Sequence, residues 1–386
     1  MFTLALALVA CASRVNTLTS TPALGPTPHI INVDTPAQPS ATLLPQAGTS
    51  TLPPGPLSSS PIPPFRSPPP TLLPPQIPSR ISPDNATSLE PIARIQFSPW
   101  EVVLAISWSP DGGTLAISAG EKIHLVEAGT FKERLVLEPG VWMPALAISP
   151  EGPLLASGGR DGTVHLWDWM TGEMLQSIRA HKKGTNTVAF SLDGKLLASA
   201  GNDGMVRLWD AKTGELQTEM IGGSYGIPGV AFTPDGASLA IANGDVIRIR
   251  QLQTGRFVQT LRGNASFYCL AFTAGGQVLA TGDSDNGVLL WDYPSGEIRF
   301  RLAAHAGERS RPAALIWRVA FSPDGRLLAS AGGDQTVRLW EVAIGKLIVT
   351  LTRHSAAVTS LAFSPDGRWL ATGGLDGTVL IWQSQP

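Results

Sequence analysis

Two stretches of this chain, 42 residues apart, have nearly the same sequence. Residues 320–340 read AFSPDGRLLASAGGDQTVRLW and residues 362–382 read AFSPDGRWLATGGLDGTVLIW. A match of this length, with the same turn residues at the same places, indicates an internal repeat. Periods of this size are typical of solenoids, propellers and other repeat arrays. The repeat therefore constrains the fold more than any other feature of the sequence.

Five further copies precede these two. Each copy has an anchor near its end, a tryptophan or the residue that replaces it, and the anchors are Val126, Trp167, Trp209, Arg250, Trp291, Trp340 and Trp382. Their spacings are 41, 42, 41, 41, 49 and 42 residues. Seven copies are therefore present, and only the sixth carries an insertion.

One copy, TVAFSLDGKLLASAGNDGMVRLWDAKTGELQTEM, divides into four short apolar or β-branched runs. The breaks SLDG, GNDG and AKTG each end in glycine, which is typical of tight turns that need a positive φ. A single four-stranded sheet cannot bury both faces, but seven sheets can stack around an axis. The sequence therefore predicts an all-β, seven-bladed β-propeller with four-stranded antiparallel blades.

The seventh copy ends after its third strand, at VLIWQSQP. The run ARIQFS, residues 93–98, has the alternation of a strand and precedes the first copy. We expect it to supply the missing outer strand and close the ring. The propeller is accordingly assigned to residues 93–386.

The pieces LASGGRDGTVHLWD, SPDG and AH…VAF resemble the WD-repeat family of β-propellers over residues 93–386. The resemblance implies a buried hydrogen-bonded network of His, Ser or Thr, Asp and Trp in each complete blade. By position the full set is His181, Ser199, Asp203 and Trp209 in the third repeat and His354, Thr372, Asp376 and Trp382 in the seventh. The sixth repeat has Ser330, Asp334 and Trp340, with His305 displaced by the insertion. Two repeats have the set without a His: Ser157, Asp161 and Trp167 in the second, and Thr281, Asp285 and Trp291 in the fifth. The first and fourth repeats lack the Trp. Because the set recurs blade by blade, we interpret it as structural and not catalytic.

The resemblance also implies a partner-binding face. This upper face carries the loops before the inner strands and the turns after the second strands. By position it would present Trp142, Arg160, Asn186, Asn202, Tyr268, Trp317, Thr359 and Leu375, together with Arg309 and Arg311 in the insertion of the sixth repeat. Trp, Tyr and Arg dominate interface energetics. The alternatives are that Trp142 and Trp317 only cap the channel rim and that the insertion is an idle surface loop.

Tests for chemistry predict no catalytic residue, cofactor or metal. GGSYG at 222–226 matches the Gly-x-Ser-x-Gly pattern, but Ser224 lies in a link between blades with no helix after it, where a plain turn is expected. Metal-ligand spacings are absent. Residues 93–386 contain 25 basic and 27 acidic residues, and a near-neutral domain gives no electrostatic case for nucleic acid.

The first eleven residues, MFTLALALVAC, are apolar but too few to span a bilayer. They suit a secretory signal over residues 1–10, and Leu8 to Cys11 resembles the lipobox of bacterial lipoproteins, which implies lipidation of Cys11. Met1 to Thr3 carry no Lys or Arg, so an ordinary secretory signal and a chance apolar terminus remain open. Residues 11–92 are predicted to be a disordered linker, since residues 22–91 hold 20 of the 33 prolines.

These features predict a non-catalytic scaffold that binds an unidentified protein or peptide. We expect a monomeric propeller, held outside the cytoplasmic membrane through the lipid alone. An extracytoplasmic propeller enzyme or small-ligand binder at the channel mouth is one alternative. A cytoplasmic scaffold with a disordered N-terminal arm is another. Cys269 lies in an apolar strand, and no disulfide is predicted.

Overall fold

The computed structural model describes residues 32–33, 79–223, 226–305 and 315–385. Within these ranges the first six blades each contain four antiparallel strands. The strands of a blade follow one another in chain order from the innermost to the outermost. Blades 1 to 3 consist of β3 (Val103–Trp108), β4 (Thr114–Ala119), β5 (Lys122–Glu127) and β6 (Glu133–Leu137); β7 (Ala145–Ile148), β8 (Leu154–Gly158), β9 (Thr163–Asp168) and β10 (Met174–Arg179); and β11 (Thr185–Phe190), β12 (Leu196–Gly201), β13 (Met205–Asp210) and β14 (Leu216–Ile221).

Blades 4 to 6 repeat the same arrangement. They consist of β15 (Gly229–Phe232), β16 (Ser238–Asn243), β17 (Val246–Gln251) and β18 (Phe257–Arg262); β19 (Phe267–Phe272), β20 (Val278–Asp283), β21 (Gly287–Asp292) and β22 (Glu297–Ala303); and β23 (Ile316–Phe321), β24 (Leu327–Gly332), β25 (Val337–Glu341) and β26 (Lys346–Leu351). The repeat period of the sequence is therefore one blade.

Blade 7 joins the two ends of the propeller. Its inner three strands are β27 (Val358–Phe363), β28 (Leu370–Gly374) and β29 (Thr378–Ser384), and its fourth strand is β2 (Leu89–Gln96). A two-residue strand, β1 (Asn32–Val33), pairs with the outer edge of β2. The predicted all-β, seven-bladed β-propeller is confirmed.

Each turn between the first and second strands of a blade follows from its short polar sequence. In blade 3 the hydroxyl of Ser191 donates to Asp193 at 2.7 Å, and Asp193 accepts the amide of Lys195. Gly194 then adopts a φ of 65°, which residues with a Cβ rarely populate. The turn brings the next strand back beside the first.

The core is divided among the interfaces between neighbouring blades. Seven hydrophobic clusters each join two adjacent blades, and the cluster between blades 7 and 1 closes the circle. The second strands supply small residues such as Ala198 and Ala200, both fully buried, which let the sheets approach closely. Leu239 and Ile241 pack against them from blade 4. No blade could bury these surfaces alone.

The predicted start of the propeller at residue 93 is wrong. The closing strand begins earlier, and the residues before that strand also pack on the blades. The closing strand spans Leu89–Gln96 instead of 93–98. Residues 79–88, predicted as linker, pack on blades 6 and 7 and include a 3₁₀ helix at Ala86–Ser88. Ile81 is 1% exposed, and its amide donates to the carbonyl of Gly367 at 2.8 Å.

Pro91, one of the prolines that suggested a linker, is tolerated in β2 for a local reason. The β2–β29 register shifts between Pro91 and Ala93, and a proline at such an irregularity removes no regular ladder hydrogen bond. The rest of the predicted linker 11–92, the predicted signal 1–10 and Cys11 lie outside the described residues, apart from Asn32–Val33. Among the described residues, no helix has the length and apolar character needed to cross a membrane.

Because β2 closes the ring, we expect truncation of one of its buried side chains to lower the stability of the propeller strongly. Ile95 is fully buried between blades 7 and 1, whereas its neighbour Arg94 is exposed. Ile95→Ala should lower the free energy of unfolding by about 2–5 kcal/mol. Arg94→Ala, the matched control, should change it by no more than about 0.5 kcal/mol. Urea unfolding followed by tryptophan fluorescence measures both, and equal effects would show that β2 does not carry the closure.

Candidate functional site

A tryptophan and a hydroxyl form the same buried pair in five blades. The indole Nε1–H of the third strand donates to a Ser or Thr of the second strand at 2.9–3.0 Å, and the pairs are Trp167–Ser157, Trp209–Ser199, Trp291–Thr281, Trp340–Ser330 and Trp382–Thr372. All five hydroxyl-bearing residues are fully buried. The pair satisfies an indole donor that would otherwise be unpaired in the core.

A histidine extends the pair in three blades. In blade 3, His181 Nε2 lies 2.9 Å from the Ser199 hydroxyl and Nδ1 lies 2.9 Å from Asp203. Indole can only donate, so Ser199 accepts from Trp209 and donates its own proton to Nε2. Nδ1–H then donates to the carboxylate.

Blades 6 and 7 contain the same arrangement. His305 Nε2 lies 3.0 Å from Ser330 and its Nδ1 lies 2.7 Å from Asp334. His354 Nε2 lies 2.9 Å from Thr372 and its Nδ1 lies 3.0 Å from Asp376. The insertion before blade 6 therefore leaves His305 in the position that the resemblance implies.

The titration of these groups follows from burial and pairing. Burial lowers the pKa of His181 from its ordinary value, against the opposing effect of Asp203. Burial alone would raise the pKa of Asp203, but the hydrogen bonds from His181 and from the amides of Met205 and Lys182 outweigh it and lower that pKa. The pKa of Asp376 is lowered in the same way by His354. Each network holds an ionised carboxylate in place.

Asp161 and Asp285 do not join the tryptophan pairs of their blades, which is a departure from the prediction. Asp161 accepts from the amide and hydroxyl of Thr163 at 3.0 and 2.6 Å. Asp285 donates its amide to Asp283, which also accepts the amide of Gly287. Blades 2 and 5 have no histidine to link the turn to the hydroxyl, so the Asp161 carboxylate binds its own turn, and in blade 5 the carboxylate of Asp283 does so.

The buried position of the networks also decides what they can do chemically. Every hydroxyl of the five pairs already contacts an indole, and three contact an imidazole. Because these hydroxyls are buried and hydrogen-bonded, the arrangement stabilises blades and presents no nucleophile to solvent. Ser224 lies outside the described residues. No group of three or more metal-ligating side chains occurs in the part of the chain that the structure describes.

The upper face is shaped by an irregularity near the start of the inner strands. In five blades the register between the first and second strands shifts by one residue, which leaves one residue unpaired: Leu104, Asn186, Tyr268, Trp317 or Thr359. Bulges re-aim side chains and are common at functional rims. Four of the five were predicted as face residues, and Leu104 was missed because an aliphatic residue in an apolar strand carries no binding signal.

The predicted face residues of blades 2 and 3 form two contacts. The Arg160 guanidinium lies 5.1 Å from the centre of the Trp142 ring, and the Arg160 amide donates to the Trp142 carbonyl. Asn186 Nδ2 donates to Asn202 Oδ1 at 2.8 Å. Partial burial lowers the pKa of Arg160 and raises that of Tyr268 from their ordinary values.

The remaining predicted face residues are placed as follows. The hydroxyl of Thr359 donates to the carbonyl of Val103 in blade 1, so it ties two blades together as well as lining the rim. The amide of Leu375 donates to the Ala357 carbonyl, which fixes the turn against the loop before the inner strand. Arg309 and Arg311 lie outside the described residues.

Comparison with known proteins agrees with this geometry. The family described as WD40, "WD domain, G-beta repeat", matches residues 141–168, 172–210, 255–292, 298–341 and 345–383. These segments contain the inner three strands of the five blades that have the tryptophan pair. The inner three strands of blades 1 and 4, which lack the pair, are unmatched.

Short segments resemble curated proteins. The chain is 51% identical over 39 residues to "Small ribosomal subunit protein RACK1y" of Oryza sativa subsp. japonica, covering 10% of this chain and 12% of the relative. It is 47% identical over 49 residues to "Small ribosomal subunit protein RACK1" of Schizosaccharomyces pombe, 13% and 15% of the two chains. It is 28% identical over 88 residues to "Serine-threonine kinase receptor-associated protein" of Gallus gallus, 23% and 25%. The matched segments thus span a quarter or less of these relatives.

Blades with the histidine and blades without it allow a matched test of the hydrogen-bonded network. Ser199→Ala removes the partner of both Trp209 and His181, whereas Ser157→Ala removes only that of Trp167. Each buried group left unpaired lowers stability by about 1–3 kcal/mol, so Ser199→Ala should lose roughly that much more than Ser157→Ala. Urea unfolding gives both values. Equal losses would mean that the imidazole adds nothing to the pair.

Proposed function

Since this chain is a WD-repeat propeller, we propose that it is a non-catalytic scaffold that binds partner proteins on its upper face. The observation that carries the proposal is the set of re-aimed residues at the starts of the inner strands. Rigid strands hold these side chains at one rim, and the set includes Tyr268 and Trp317, types that dominate interface energetics. A closed ring provides such a surface at little cost in conformational entropy on binding.

The proposal draws some support from the relatives, because short segments resemble proteins whose names describe a ribosomal subunit component and a receptor-associated protein. Those names concern assemblies with other macromolecules. Because the matched segments are short, we carry over only this general expectation to the present chain.

A small-ligand or catalytic function at the channel mouth is the alternative. Asp283 is the acidic residue near the upper rim whose pKa is raised by burial. Its carboxylate, however, accepts two backbone amides of its own turn, which ties it to a structural role. This geometry favours the scaffold over the enzyme.

The partner-binding proposal makes a prediction for two aromatic residues. The protein carrying Tyr268→Ala and Trp317→Ala should bind its partners at least about 30-fold more weakly, since each truncation removes an interface anchor. Phe257→Ala, which removes an exposed aromatic from the outer strand of blade 4, is the control. Quantitative affinity capture from the source cells compares the three proteins. Partners retained by the double variant but lost with Phe257→Ala would place binding at the outer rim instead.

We also propose that the propeller is lipid-anchored outside the cytoplasmic membrane through Cys11. Support comes from the mostly apolar run of residues 2–10, which ends in Leu-Val-Ala and is followed directly by Cys11. The chain has one other cysteine, Cys269, which is 3% exposed and whose thiol pKa is raised by burial to about 12. A protonated, buried thiol is a poor nucleophile. Cys269 is therefore a poor candidate for lipidation.

The anchor can be tested with the two cysteines as a matched pair. In a bacterial host fed a labelled fatty acid, the wild type and Cys269→Ala should carry label and sediment with membranes. Cys11→Ala should carry none. Unlabelled, soluble wild type would contradict the anchor and favour the cytoplasmic scaffold.

A further inference from the structure

Four cations lie together on the upper face between blades 2 and 3. They are Arg160, Arg179, Lys182 and Lys183, and we call this group the basic sector. The loop of Lys182 and Lys183 contacts the turn of Arg160, because the His181 amide donates to the Gly162 carbonyl and the Thr185 amide donates to the Gly159 carbonyl, both at 2.8 Å. Arg179 pairs with Thr163 at the upper end of its strand.

The basic sector contains more positive than negative side chains. Among the described residues none of its four side chains forms an ion pair, whereas nearby Arg207 binds both Asp203 and Glu219. Asp161 lies within it, with its Oδ1 accepting two hydrogen bonds from Thr163. Asp203 borders it, since its carboxylate accepts the Lys182 amide at 3.2 Å while it is paired with Arg207. The four cations therefore leave this sector with a net positive charge in a chain whose net charge is −2.

The flanks of the basic sector are close to neutral. On the blade 1 side Lys122 pairs with Glu138 at 3.6 Å, and Glu121 is exposed beside them. On the blade 4 side the exposed residues Asp245 and Arg262 are neighbours, since the amide of Gly263 donates to the Asp245 carbonyl. A ligand with negative charge is therefore attracted to blades 2 and 3 more than to either flank. The neutral flanks also limit the length of the positive surface, which disfavours nucleic acid, because a phosphate backbone gains affinity from an extended basic stripe.

One cation of the basic sector is already oriented. Arg160 is exposed at one side while the Trp142 ring covers the other at 5.1 Å. A guanidinium held against a ring loses less side-chain entropy on binding, and its fork fits a carboxylate with two parallel hydrogen bonds. Beside it, the Asn186–Asn202 amide pair offers further donors and acceptors for a peptide backbone.

From these contacts we infer that the basic sector binds an acidic segment of the partner protein, one rich in Glu or Asp. The carboxylates of that segment contact Arg160, Lys182 and Lys183, and Trp142 packs against its apolar atoms. This inference rests on the proposed function and adds the chemistry of the partner to it. The aromatic residues of blades 5 and 6 then bind a different part of the same partner.

Fluorescence polarisation with a labelled peptide of alternating glutamate and glycine tests the inference. The full chain should bind this peptide more tightly than its glutamine counterpart, and added salt should weaken the complex. The variant Lys182→Glu with Lys183→Glu should lose at least about tenfold in affinity. The control is Lys195→Glu with Lys212→Glu, which changes net charge equally at exposed sites on the opposite face. The control should bind the peptide as the wild type does.

Several results would overturn the inference. These are equal binding of the two peptides, equal loss in the control, and tighter binding of labelled oligouridylate than of the glutamate peptide at the basic sector. Failure of the inference is distinguishable from failure of the proposed function. Partners lost from the Tyr268 and Trp317 variant but retained by the Lys182 and Lys183 variant would uphold the scaffold and overturn the acidic-segment assignment.

Discussion

The antiparallel pairing of β2 with β29 is the interaction on which the rest of the molecule depends. It joins residues from before the first blade to the end of the last, with Ile95 fully buried beneath it. Each blade can bury its faces only against its neighbours, so an open array would leave two apolar surfaces exposed. Closure gives every blade a neighbouring blade on both sides. The shared packing problem explains why the same residue types recur at the same positions in most blades.

Within this ring, stability and recognition use different atoms. The tryptophan–hydroxyl pairs and their histidines are buried and lie between strands, so they fix the blade geometry without reaching solvent. The rim residues are displaced by a one-residue irregularity and are half-buried at the upper face. Substitution at the rim therefore leaves the core pairs intact, and the upper face can differ in charge and shape from blade to blade. The basic sector of blades 2 and 3 is one result of this freedom.

The fold could be predicted because the repeat encodes it. The period, the glycine turns and the missing last strand together predicted seven blades and closure by an N-terminal strand. The packing of residues 79–88 could not be predicted, since Ile81 and Ala86 lie among prolines and their burial depends on a groove made by distant blades. Asp161 and Asp285 were predicted to act as Asp203 does because they share its position in the repeat, but their blades lack the histidine that draws Asp203 into the network. At the rim, Lys182 and Lys183 were missed because only the folded loop brings them beside Arg160.

The most direct test of the central claim, that partners bind on the upper face, is site-specific photo-cross-linking in the source cells. A benzophenone amino acid replaces either Asn202, exposed on the upper face, or Lys212, exposed on the lower face of the same blade. Binding on the upper face predicts discrete protein adducts from position 202 after irradiation and none from position 212. Adducts from position 212 with none from position 202 would contradict the assignment of the upper face as the binding surface.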